Sequence, residues 1–127
     1  MALAFDLTQI GIPAREADFL GDTQTDNITL TGTVQADGYQ IVNNINGIVG
    51  GTAVTAIALV LPLIRTFKNS FVAVRSDYIG FAAQLFPAVG DSINGLAVNV
   101  AFPIVAGTGV LCFKVGATRW IVMGSAT

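Results

Sequence analysis

Breakers fall so often along this chain that no long helix fits between them. From Asn27 onward the apolar stretches stop at Asp37-Gly38, Gly50-Gly51, Pro62, Pro87, Asn94-Gly95, Gly107-Thr108-Gly109 and Gly116-Ala117-Thr118. Glycine reaches positive φ, proline fixes its own φ, and Asn or Asp bonds nearby backbone, so each of these stops suits a turn. Between them Val, Ile and Thr recur with a period of two or in short continuous runs, the pattern of strands. Residues 28–34 alternate most clearly. Further strands are predicted at 38–42, 53–61, 70–74, 81–86, 96–105, 110–115 and 119–123, with Gly47, Gly50 and Gly51 marking a loop.

Seven to nine short strands joined by Gly-rich turns predict an all-β fold, an antiparallel β-sandwich or barrel over residues 28–127. No internal repeat of fixed period is visible, which argues against a solenoid. Residues 1–27 precede this body as an arm. Pro13, the early acids and Gly21 mark out one or two helical turns over 13–21. Phe5, Leu7, Ile10 and Phe19, with Asp6 among them, are the predicted protein-binding residues of the arm.

Charge is scarce and divided by sign. Only 11% of the chain is charged, against about a quarter in an average soluble domain. Asp6, Glu16, Asp18, Asp22, Asp26 and Asp37 face Arg15 alone at the start, whereas Arg65, Lys68, Arg75, Lys114 and Arg119 outnumber Asp77 and Asp91 in the rest. A body with so little ionic surface is expected to hide part of it against copies of itself, as a homo-oligomer and most simply a trimer. Residues 57–61 and 110–115 are apolar on both faces, as at a domain centre or a subunit contact.

Several kinds of chemistry lack their residues. The chain has no histidine and one cysteine, so neither a Ser-His-Asp or Cys-His pair nor the usual zinc site is expected. Cys112 lies in an apolar run and reads as a small buried hydrophobe. Asp18, Asp22 and Asp26 are spaced by four, unlike a calcium loop. The glycines of 47–52 lack the lysine of a phosphate loop. No catalytic residue, cofactor or metal is therefore expected. A net charge of −2 lacks the electrostatic footprint of a nucleic-acid binder. Residues 1–20 have no basic start, so they do not read as a signal peptide. The uncharged stretch 47–64 contains Gly47, Gly50, Gly51 and Pro62, poor material for a membrane helix. Trp120, Tyr39 and Tyr78 are expected in the core or at an interface, with stacking on sugars as the alternative.

One block has wider meaning. Phe86-Pro87-Ala88-Val89-Gly90-Asp91-Ser92-Ile93-Asn94-Gly95 follows a β-run, and Gly107-Thr108-Gly109, an apolar strand to Phe113 and a final Trp120 strand come after it. With Leu61-Pro62 upstream, this order over residues 28–124 resembles a β-domain common among tailed-bacteriophage virion proteins. The chain departs from that pattern at 64–69, where a Gly-containing link is expected. In the turn itself Gly90 and Gly95 permit positive φ, Asp91 and Asn94 can bond their own backbones, and Ile93 can plug the core. That is a structural turn, not a catalytic one.

The resemblance implies a structural virion protein: a capsid decoration (cement) protein, a head spike or a piece of tail fibre. A short chain opening on its own Met1 fits a separately expressed trimeric decoration protein, made in the host cytoplasm and bound through the major capsid protein to the capsid surface. The alternative is a receptor- or glycan-binding module of a tail fibre or head spike. An unrelated β-sandwich holding a small ligand inside is a third possibility.

Overall fold

A computed structural model describes residues 23–51, 57–77 and 80–124. The predicted helical turns and the arm residues Phe5, Asp6, Leu7, Ile10 and Phe19 lie outside them. The regular structure of the described chain is almost entirely strand: β1 (Gln24–Leu30), β2 (Tyr39–Gln40), β3 (Ile45–Gly51), β4 (Ala58–Val60), β5 (Phe71–Ser76), β6 (Ala83–Phe86), β7 (Ser92–Ile93), β8 (Phe102–Ile104), β9 (Gly109–Val115) and β10 (Arg119–Met123). A single 3-10 turn, Gln35–Asp37, precedes β2. β1 starts at Gln24, ahead of the Asn27 at which the sequence places the end of the arm.

The all-β expectation holds, but the sheets are mixed and not antiparallel. A six-stranded sheet runs β1-β3-β5-β9-β10-β7, and a four-stranded sheet runs β2-β4-β6-β8. From β1 to β8 the chain passes to the other sheet after every strand. Neighbours from β1 to β5 in the larger sheet, and throughout the smaller one, are thus alternate strands of the chain, and β1-β3-β5 and β2-β4-β6 pair in parallel. Parallel neighbours need a crossover, usually a helix. Here each crossover is a strand of the opposite sheet. The Gly and Pro turns redirect the chain between sheets instead of folding it back as hairpins.

This winding makes a short parallel coil of β1 to β6. Its step is irregular: Gln24 lies beside Ile45, and Ile45 beside Ala73. Irregular turns leave no period in the sequence. Only β9 and β10 form a tight hairpin, with Gly116 at a φ of 69° in its turn. β9 then closes antiparallel on β5.

One buried cluster draws on both sheets. Ile28, Leu30, Ile48, Val72, Val74, Val110, Cys112, Trp120 and Val122 come from the larger sheet, and Leu59, Ala83, Leu85 and Ile104 from the smaller. The alternation of strand side chains sends these residues to one side. β4 is buried along its whole length. Leu59 enters the core, while Gly38 closes over its neighbours: a Cβ there would stand 2.9 Å from Val60 Cγ2 and 3.1 Å from Ala58 Cβ. The doubly apolar run 57–61 is thus covered within the chain.

Two predicted segments change character. Residues 47–51 are strand and not loop, and glycine at 47 leaves room for Asp26, whose Oδ1 lies 2.7 Å from where a Cβ would be. The predicted strand at 96–105 shrinks to Phe102–Ile104. Asn99, within the predicted span, adopts a φ of 68°, a left-handed backbone that interrupts a regular strand.

Candidate functional site

The larger sheet has one face in the core; on its other face the described side chains are half-buried or exposed. On β3, Ile45 and Val49 point away from the core; on β5, Phe71 and Ala73; on β9, Leu111 and Phe113; on β10, Ile121 and Met123. Strand register lines them up. Ile45, Ala73, Leu111 and Met123 form one row across four strands, and Phe71, Phe113 and Ile121 form a second across three. Leu111 is 45% exposed and Met123 53%. A shallow groove of about 430 Å³ runs along the first row.

The charges of this face sit towards its margins. Arg75 Nε bonds Asp77 Oδ1 at 3.0 Å in solvent, an ion pair that contributes little to stability. Arg119 is exposed at the other end of β10. Sequence reasoning singled out 110–115 as apolar on both faces but did not find Ile45 or Met123. The signal for them was the register, which the chain's crossovers conceal.

The turn predicted at 90–95 sits beyond β10, beside the far edge of this sheet. Gly90 has a φ of 93°, and its N–H donates to Asn99 Oδ1 at 2.9 Å. Asp91 is buried, takes the Asn99 N–H on its backbone carbonyl at 3.0 Å, and offers Oδ2 to the Ile64 N–H at 3.4 Å. Ile93 is fully buried beside Trp120. Asn94, and not Gly95, takes the positive φ expected in this turn. Its Oδ1 accepts from the Val122 N–H at 2.9 Å, and its Nδ2 donates to the Val122 carbonyl at 3.3 Å. Both polar side chains therefore bond distant backbone and not their own.

The Ile64-to-Asn69 link, where the sequence departs from the phage pattern, forms a turn closed by the Thr66 and Phe67 N–H groups on the Leu63 carbonyl. It carries Phe67 to within 6.1 Å of the Trp120 ring, tilted by 55°. Trp120 is fully buried, so it offers no stacking platform to a sugar. Tyr39 packs against the core, and Tyr78 lies outside the described residues. Lys114 donates its Nζ to the Phe67 carbonyl at 2.5 Å, and its partial burial holds the ammonium below the usual lysine range.

Cys112 is fully buried, and desolvation pushes its thiol up to about 12. A thiolate is the reactive form, so Cys112 is expected to resist a soluble disulfide reagent at pH 8 until the chain unfolds. The raised value also sets a pH dependence. The unfolded thiol loses its proton near 9.0 while the folded one keeps it to about 12. Stability is full below pH 9 and is expected to fall through this window by about 1.4 kcal/mol per pH unit. Denaturant titration of the wild type against Cys112→Ala between pH 8 and 11 isolates the contribution.

Among the described residues no three His, Cys, Asp or Glu side chains gather as a metal site. Among them, too, no helix is long and apolar enough to cross a membrane. Comparison with protein-family models, with curated proteins and with solved structures gave no match.

Proposed function

We propose that this chain is a structural virion protein, a trimeric capsid decoration protein that stabilises a phage head by binding its major capsid protein. The open apolar face of the six-stranded sheet carries the reading. A row of half-buried Ile45 and Ala73 with exposed Leu111 and Met123 has the character of a surface meant for protein contact. The Gly-Asp-Ser-Ile-Asn-Gly turn and the sparse charge support the same direction. In this reading the two sheets close as a β-sandwich around their shared core, a rigid body carried on the capsid surface. The buried Trp120 gives no support to the glycan-binding alternative.

The 13.2 kDa chain is expected to have the mass of a trimer by light scattering at micromolar concentration. It is also expected to co-sediment with expanded heads that lack it, up to a saturating ratio, and to raise their resistance to heat. A monomer that leaves such heads unbound would remove the proposal.

A further inference from the structure

We propose that the open face of the six-stranded sheet is covered, in the assembled protein, by residues 1–22 of a neighbouring copy. The inference rests on the assembling role proposed above and names the partner of that face.

The face calls for an occupant that packs on top of it and not beside it. Its outer strand β1 is interrupted by Asn27 at a φ of 58°, with a break in register between Thr25 and Thr29. An irregularity of this kind blunts an edge against strand addition. The opposite edge, β7, has only two residues. Apolar contact is therefore available on the face and hardly at the margins.

The segment before Thr23 has the matching chemistry. Phe5, Leu7, Ile10, Ile12, Phe19 and Leu20 would meet water unless something covers them, and four acids stand there against Arg15 alone. Arg119, exposed at the end of β10, is a fitting counter-charge. Apolar burial would supply most of the affinity, with charge setting the register.

The place where this segment joins the body points to a neighbouring copy. The Thr23 N–H donates to Asn44 Oδ1 at 2.8 Å, and its carbonyl accepts from the Ile45 N–H at 3.1 Å. Thr23 is thus pinned beside Ile45, one end of the open row. β1 runs parallel to β3, so its direction at Thr23, followed backwards, leads off the strand ends and not over the sheet. Covering its own face takes a reversal just before Thr23, whereas a segment that keeps the strand direction leads to another molecule. Reach is ample: residues 1–22 extend to about 70 Å, and crossing four strands takes about 15 Å.

Cysteine pairing in the full chain tests this. One protein carries Phe5→Cys, Ile10→Cys or Phe19→Cys, and the other carries Leu111→Cys. The two are refolded together, oxidised and read on a non-reducing gel. For at least one arm position, mixed dimers several-fold more abundant than Leu111→Cys pairs are expected. A third protein carries both cysteines in one chain; linkage found only there, within the monomer, would place the segment on its own sheet and overturn the proposal. Predominant Leu111→Cys pairs would mean that two faces meet directly, which also overturns it, as does the absence of any link.

A full-length Leu111→Asp variant gives a second reading, because Leu111 is outside the core. It is expected to keep its circular dichroism and fall to monomer mass; an unchanged multimer contradicts the proposal. Both measurements use purified protein without particles. Mixed links together with no binding to heads would sink the virion role alone.

Discussion

Gly32→Ala is expected to cost about 3 kcal/mol or more, the upper range for forcing extra atoms into packed structure. A Cβ at position 32 would stand 1.9 Å from the Asp37 carbonyl oxygen and 2.8 Å from the Gly38 Cα. Both neighbours are backbone, so no side-chain rotation relieves the clash. Nor can the turn back away easily. The Asp37 carboxylate accepts the Thr33 and Val34 N–H groups, each at 2.9 Å, which also lowers its pKa. The Gly32 carbonyl accepts the Ala58 N–H at 3.1 Å. Moving the turn would therefore uncover β4, the strand that Gly38 closes over.

Thermal unfolding checks the size of the effect. In a domain of about 100 residues each kcal/mol shifts the midpoint by about 4–8 °C, so the variant is expected to melt more than about 10 °C early. Two other glycines serve as controls. Gly95 has open space and no positive φ, and its alanine variant is expected within about 0.5 kcal/mol of the wild type. Gly90 also has open space but a φ of 93°, so alanine there is expected to cost about 1–2 kcal/mol. A Gly32→Ala protein as stable as the Gly95 variant would contradict the packing of residues 32–38 on β4.

Strand existence was legible because it rests on local chemistry. Val72 and Val74, or Ile121 and Val122 before Met123, declare their strands through side chains that alternate or run apolar between turns. Strand partnership was not legible. Asn94-Gly95 looks like a hairpin turn, yet Asn94 spends its side chain on the Val122 backbone and the chain moves on to the other sheet. Pairs such as Gln24 with Ile45 and Ala58 with Gln84 depend on crossovers that leave no mark in either segment.

The same separation governs the candidate site. A doubly apolar strand signals burial on both sides, but its partner is a tertiary fact. For 57–61 the cover is the chain's own 32–40 segment. For 110–115 the described chain supplies none, and the open row appears only once Ile45, Ala73, Leu111 and Met123 are brought side by side. Leu96, Val98 and Val100 illustrate the converse. Their alternation reads as a strand, but all three are exposed in turns held by Asn94 and Asn99, so periodicity without a surface to bury against did not build one.

Trp120→Ala is expected to lose about 3–5 kcal/mol, as large aromatic truncations in cores do. Against a total stability of about 5–15 kcal/mol, that is enough to leave part of the population unfolded. Trp120 is fully buried, pairs with Ile93 across β10 and β7, and stands next to the Phe67 ring. Its loss opens a void where the hairpin, the 64–69 turn and the 90–95 turn meet, and none of the three can close it alone. Unfolding must be followed by circular dichroism, since this is the only tryptophan in the chain.

Trp120→Phe separates volume from polarity. The indole Nε1 is buried without a hydrogen-bond partner, a state that costs about 1–3 kcal/mol. Phenylalanine removes that penalty while keeping a ring near Phe67, so it is expected to lose less than half of what alanine loses. Equal losses for the two variants would mean that the Nε1 group is satisfied in solution, and that the indole bonds a partner as well as filling space.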